Sequence, residues 1–103
     1  MKTTRKKPKF ISHYLVLRDL LAGKDPRQYS DVHRYLTSRI ENIKCDFVRK
    51  HGLKFDETAQ AHTTYAHYKP YILLRDKENI KRAKKLLAAL ETDEIKRFLG
   101  LKQ

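Results

Sequence analysis

Basic side chains dominate this chain, which carries 24 Lys and Arg against 12 Asp and Glu, a formal net charge of +12 over 103 residues. Charge of one sign repels itself in a compact state, so an excess this large favours a polyanionic partner. The hydrophobic fraction of 40% and the mean hydropathy of -0.76 leave material for one small core. We therefore predict a single domain with a heavily charged surface, and nucleic acid is the first partner to consider.

Cysteine content and hydropathy bear on the compartment. Cys45 is the only cysteine, so no disulfide can form within the chain. The sequence shows no secretory apolar segment and no apolar run long enough to cross a bilayer. We expect a cytoplasmic protein that does not associate with a membrane.

The chain divides into a basic N-terminal arm and one domain. Residues 1–9 contain five Lys and Arg, no acid and few apolar side chains, which predicts a disordered arm. Lys6 and Lys7 in this arm are candidates for phosphate contacts. Residues 10–103 are predicted to form the single domain, with residues 77–99 as a helical C-terminal extension.

Helical periodicity covers the first half of the domain. Apolar residues from Phe10 onward predict a first helix that ends at Gly23, and Asp25, Pro26 and Ser30 are start signals for the next. An apolar stripe follows at steps of four, four, three and four: Val32, Leu36, Ile40, Ile43 and Phe47. This stripe is predicted to face the core and to end at His51-Gly52. The stretch between residues 30 and 50 is either one long helix or two, because residues 31–50 contain neither Gly nor Pro.

The second half begins with a stretch rich in Thr and Tyr that lacks helical periodicity. It predicts two antiparallel strands, residues 53–58 and 65–74, with residues 59–64 at the tip. Pro70 must then lie at an edge or a bulge. Asp76 is predicted to cap a helix over residues 77–90, and Thr92 to begin a last short helix that ends before Gly100.

Short motifs in this order resemble those of small winged helix-turn-helix proteins encoded by bacteriophages and prophages. They are LLAGK at residues 20–24, SDV at 30–32, LTSRI at 36–40, RKHGLKF at 49–55 and YAHY at 65–68. The resemblance covers about residues 15–74 and implies an α+β, winged-helix-like fold, with helices packed on a small antiparallel β-hairpin. It also implies that the third helix enters the major groove of DNA. The family usually has a Gly or a clear break before its third helix, and residues 31–50 of this chain contain neither Gly nor Pro to mark one.

The resemblance gives candidate DNA-binding residues on the third helix and the wing. On the helix, Ser38, Asn42 and Arg49 are expected to meet base edges or phosphates, because Asn pairs bidentately with adenine and Arg with guanine. Arg34 and Arg39 flank them, and His67 and Lys69 lie on the wing. The alternative is an ordinary solvated helix face, on which Glu41 would repel phosphate, and a wing made of plain cross-strand pairs.

A further basic cluster lies in the predicted helix 77–90. Lys81, Arg82, Lys84 and Lys85 either bind phosphates without sequence preference or form the solvated side of an amphipathic helix.

Catalysis and metal binding find little support in the sequence. It contains no recognisable catalytic triad, phosphate-binding loop or paired-carboxylate motif. Cys45 and His51, six residues apart, match no common zinc-ligand spacing. We expect no enzyme activity, no cofactor and no metal.

The sequence therefore predicts a DNA-binding regulatory or accessory protein of a phage or prophage, which binds double-stranded DNA in the cytoplasm of its bacterial host. The alternative is a phage-encoded inhibitor that binds a host protein through its basic surface, and RNA binding is the third possibility. A homodimer formed through the C-terminal helices is also considered.

Overall fold

The protein is described by a computed structural model that covers residues 8–26, 32–37, 39–56, 61–62, 67–68 and 70–100. Its helices are α1 (Ile11–Leu21), α2 (Val32–Tyr35), α3 (Ile40–His51), α4 (Lys77–Leu90) and α5 (Asp93–Leu99). Two strands of two residues each, β1 (Ala61–His62) and β2 (His67–Tyr68), pair antiparallel between α3 and α4.

Helix α1 is the centre of the core, since it packs against α2, α3 and α4. Most of its residues are buried, which explains why its sequence is almost continuously apolar from Tyr14 to Leu17. The buried apolar side chains are Ile11, Tyr14, Leu15, Val16, Leu17, Leu20, Tyr35, Ile40, Ile43, Phe47, Leu53, Phe55, Tyr71, Leu73, Ala83 and Ile95. Leucines of α4 and the C-terminal end of α5 pack against this set, so both C-terminal helices cover the core.

The predicted end of α1 and the predicted starts of α4 and α5 are confirmed, whereas Asp25 does not begin a helix. Gly23 has φ 84° after α1, and the bonds from Gly23 N to Leu20 O and from Lys24 N to Asp19 O form a Schellman motif. The Asp76 carboxylate accepts a hydrogen bond from Asn79 N at 3.3 Å and caps α4. The Thr92 hydroxyl caps α5 by accepting from Ile95 N at 3.3 Å.

The stretch from residue 30 to residue 50 forms two separate helices. Leu36 breaks the helical path between α2 and α3, because its φ of 59° is left-handed. Such a conformation costs a residue with a side chain about 1–2 kcal/mol. Tyr35, fully buried directly before it, offsets this cost by packing and by donating to Asp19 Oδ2 at 2.8 Å. No sequence signal marked the break, since Leu is not a residue that favours this conformation.

The predicted α+β, winged-helix-like fold class is wrong, because the architecture of the described chain is helical. Instead of two strands of six and ten residues, the described β structure consists of the pairs Ala61↔Tyr68 and His62↔His67 and one isolated bridge, Phe55↔Leu73. The first two pairs include residues that the sequence placed at the hairpin tip.

Polar side chains take the place of a longer β-ladder on these segments. The side-chain amide of Asn79, buried in α4, binds the backbone N–H and C=O of Lys54 and the C=O of Leu74. Asp25 Oδ1 accepts from Tyr71 N at 2.9 Å. Two backbone bonds flank the bridge, from Asp56 N to Ile72 O and from Leu74 N to Lys54 O. Asn79 and Asp25 bind backbone groups beyond these two bonds, which the pattern of β-favouring residues cannot show.

The structure describes only the end of the predicted basic arm. Pro8 is buried, and its carbonyl accepts a hydrogen bond from Ile11 N at 3.3 Å. Lys9 is exposed beside it. Lys6 and Lys7 lie outside the described residues.

Candidate nucleic-acid interface

Helix α3 has the phase that the apolar stripe predicted. Ile40, Ile43 and Phe47 are buried, whereas Glu41, Asn42, Cys45 and Arg49 are exposed. Glu41 lies in the first turn, where a carboxylate interacts favourably with the helix dipole. We call the side formed by Glu41, Asn42, Cys45 and Arg49 the outer face of α3.

A groove of about 470 Å³ runs between the N-terminal ends of α1 and α3. Two of the predicted site residues, Arg39 and Asn42, line it together with Lys9, Phe10, His13 and Asp46. Within the described residues, the Arg39 guanidinium and the Asn42 amide make no side-chain hydrogen bond and no ion pair. We call this feature the α1–α3 groove.

The acid in the α1–α3 groove is already paired. Asp46 Oδ2 lies 3.0 Å from His13 Nε2, and Asp46 Oδ1 lies 3.7 Å from Lys50 Nζ. The hydrogen bond to His13, followed by the charge of Lys50, lowers the pKa of Asp46 below its ordinary value. Because Lys50 offsets the charge of Asp46, the positive charges of Lys9 and Arg39 make the groove attractive to an anion.

The C-terminal end of α3 meets the basic turn of α4. Arg82 Nη1 donates to the carbonyl of Gly52 at 3.2 Å, which places a cation at the negative end of the α3 dipole. Gly52 allows α3 to end here, because its φ of 66° is left-handed, a conformation that glycine adopts readily. This bond is the contact between the two helices; basic residues flank it in both, and we call them together the basic junction: Arg49, Lys50 and His51 at the end of α3, and Lys81, Arg82 and Lys85 in α4. The sequence showed the basic cluster of residues 81–85 but not the contact of Arg82 with the end of α3.

Arg34 lies apart from the outer face of α3. Its Nε and Nη2 both lie 2.9 Å from Asp19 Oδ2, in a cleft of about 410 Å³ that Arg18 and Lys24 also line. The same carboxylate accepts from Tyr35, and burial, followed by this hydrogen bond, raises the pKa of Tyr35 to about 12. Hydrogen bonds to Asp19 and Tyr35 likewise raise the pKa of Arg34. The guanidinium therefore compensates a buried carboxylate, which is a structural role.

Several predicted site residues cannot be placed relative to this surface. Ser38 and Lys69 lie outside the described residues, as do Lys6 and Lys7. His67 belongs to β2, but its side chain is not described. The structure thus brings together Arg39 and Asn42, places Arg49 at the other end of the same helix, and separates Arg34 from both.

Sequence reasoning missed Phe10 and His13 as groove residues. Phe10 was assigned to the apolar start of α1, yet it is 51% exposed. An aromatic residue directly after a basic run was the available signal, but it does not show whether the ring faces the core or the solvent.

Within the described ranges, no three His, Cys, Asp or Glu side chains cluster as a metal site would require. The helices of these ranges also include none with the length and apolar character needed to cross a bilayer. Comparisons with protein-family models, with curated proteins and with solved structures give no significant match.

Proposed function

We propose that the protein binds double-stranded DNA through the outer face of α3, as a regulatory or accessory protein of a phage or prophage that acts without catalysis. The observation that carries the proposal is the placement of cations at both ends of one exposed polar helix face. Lys9 and Arg39 lie near its N-terminal end, and the basic junction lies at its C-terminal end.

The dimensions of α3 suit the major groove. Its 12 residues span about 18 Å at 1.5 Å per residue, whereas the major groove is about 12 Å wide. A helix seated in the groove therefore brings its two ends close to the phosphates on either side. Asn42 and Arg49 on the outer face then have the donors and acceptors that base edges require.

The distribution of apolar surface favours DNA over a protein partner. Among the described residues, the exposed large hydrophobic side chains are Phe10, Val48 and Leu74. None of them belongs to α4 or α5, so these helices present no broad apolar patch of the kind that a host protein or a second copy would cover. The inhibitor and the homodimer therefore lack a specific supporting observation.

A salt titration with charge variants tests the proposal. Fluorescence anisotropy of a labelled duplex, measured from about 50 to 200 mM salt, should give a log–log slope of about -4 or steeper, since each neutralised phosphate contributes about -0.9. Arg49→Ala and Lys85→Ala should each flatten the slope by about 0.9. Lys24→Ala removes the same charge from the Arg34 cleft and should leave the slope nearly unchanged.

Two results of this titration count against the proposal. A protein that fails to bind duplex at low salt does not bind DNA, and recovery of an acidic host protein would then favour the inhibitor. Equal effects of all three substitutions would mean that net charge, and not the α3 surface, determines binding.

A further inference from the structure

Phe10 combines two unusual features. Its ring is 51% exposed, and its backbone has φ 66°, a conformation that is uncommon for a residue with a bulky side chain. A single exposed aromatic residue is ordinary by itself. What distinguishes Phe10 is that it lines the α1–α3 groove and that its ring is held in place.

Contacts within the fold fix the Phe10 ring. The His13 ring packs against it in a T-shaped arrangement, with ring centroids 5.3 Å apart and planes at 87°. His13 is in turn held by Asp46 at 3.0 Å and packs against buried Phe47, with centroids 5.8 Å apart. The exposed ring is thus tied to the core through His13, so little conformational freedom remains to be lost when a ligand stacks on it.

The other groups of the groove match the parts of a nucleotide. Lys9 and Arg39 supply positive charge for a phosphate. The Asn42 amide offers both a donor and an acceptor to a base edge. Lys9 Nζ lies over the Phe10 ring, 5.4 Å from its centroid, so a phosphate bound by Lys9 would lie close to a base stacked on the other side of that ring. The volume of about 470 Å³ is ample for one nucleotide.

We propose that the α1–α3 groove binds one unpaired nucleotide, with the base stacked on Phe10, its edge bonded to Asn42, and its phosphate held by Lys9 and Arg39. The inference shares Lys9, Arg39 and Asn42 with the proposed duplex binding and goes beyond it by adding the stacking of an unpaired base on Phe10. The bound nucleotide is either a free mononucleotide or an exposed nucleotide of a single strand.

The test compares a fluorescein-labelled oligothymidylate with a labelled duplex for the parent and for Phe10→Ala. Base–aromatic stacking predicts a loss of about tenfold or more on the oligothymidylate. Duplex affinity should change less than about twofold, because the outer face of α3 and the basic junction are intact. Phe10→Tyr keeps a stacking ring and should retain affinity for the single strand.

A second measurement needs no variant. An oligonucleotide carrying 5-iodouracil should crosslink to Phe10 on irradiation, and mass spectrometry of the peptide identifies the site. Competition by thymidine monophosphate identifies a free nucleotide as a ligand, whereas competition by oligonucleotide alone identifies a strand; either result supports the groove.

Equal losses on single strand and duplex, or crosslinks confined to residues outside the α1–α3 groove, would overturn the inference. Its failure is distinguishable from failure of the proposed function, because duplex binding is judged by Arg49→Ala and Lys85→Ala, neither of which alters this groove.

Discussion

The side-chain amide of Asn79 binds both backbone groups of Lys54: Oδ1 accepts from Lys54 N at 2.7 Å, and Nδ2 donates to Lys54 O at 2.8 Å. The same Nδ2 donates to Leu74 O at 2.8 Å. One buried residue of α4 thus joins the segment after α3 to the segment before α4. It adds to the backbone bond from Leu74 N to Lys54 O at 3.1 Å, which pairs the two segments directly.

Replacement of Asn79 should therefore destabilise the protein strongly. Asn79→Ala removes the Asn79 bonds to Lys54 N and Leu74 O, whereas Lys54 O keeps its bond from Leu74 N; the loss should lower the free energy of unfolding by about 2–4 kcal/mol. Urea unfolding followed by circular dichroism measures the loss. The control is Lys84→Ala on the exposed side of α4, which should change stability by about 0.5 kcal/mol or less. Equal stabilities of the two variants would contradict the bridging role.

Two adjacent residues of α3 test the phase of that helix. Phe47 is fully buried and Val48 is exposed. Phe47→Ala should cost about 3–5 kcal/mol because it leaves a cavity in a small core, whereas Val48→Ala should cost less than about 1 kcal/mol. Thermal melts of both variants provide the comparison. If Phe47→Ala melts with the parent, the outer face of α3 is wrongly assigned.

Sequence reasoning predicted the helices well because their signals are local. The stripe of Ile40, Ile43 and Phe47 fixed the phase of α3, and Asp76 and Thr92 marked the starts of α4 and α5. The fold class failed because it depends on contacts distant in sequence. Asn79 was read as part of an ordinary amphipathic helix, and Asp25 as a helix start signal, yet both bind the backbone of the predicted strands.

The candidate site shows the same division. The apolar periodicity was sufficient to predict that Asn42 and Arg49 are exposed. It was insufficient for Arg34, because the pairing of Arg34 with buried Asp19 requires α1 and α2 to be in contact. The meeting of Arg82 with Gly52 joins residues 30 positions apart, so no local pattern could indicate it.

The buried phenol of Tyr35 predicts a dependence of stability on alkaline pH. Its pKa is raised to about 12, first by burial and then by the hydrogen bond to Asp19. A group whose pKa is raised by folding contributes its full stabilisation at pH values below its unfolded pKa of about 10. It loses this contribution as the pH rises towards 12. Tyr35→Phe removes this group, so the stability difference between parent and variant should shrink between pH 10 and about 12.

Urea unfolding of parent and Tyr35→Phe at several pH values checks this dependence. Lysines and the other tyrosines titrate in both proteins, so their effects largely cancel in the difference. A difference that stays constant from about pH 8 to about pH 12 would show that Tyr35 does not titrate with a raised pKa.

Substitution of Asn42 distinguishes the recognition of bases from the attraction of phosphates. Once a preferred site has been selected from random duplexes, Asn42→Ala should weaken binding to that site by about 1–3 kcal/mol and change non-specific affinity little. Lys85→Ala should instead weaken binding to all duplexes similarly. Competition anisotropy with specific and random duplexes measures both. Uniform weakening by Asn42→Ala would mean that this side chain reads no base.

Cys45 allows a direct measurement of whether the outer face of α3 meets DNA. It is the only cysteine of the chain, and it lies exposed between Asn42 and Arg49. The rate at which its thiol reacts with a small disulfide reagent should fall at least about tenfold under saturating duplex at low salt, since α3 then lies against the major groove. A reaction rate unchanged by bound duplex would contradict DNA binding through this face.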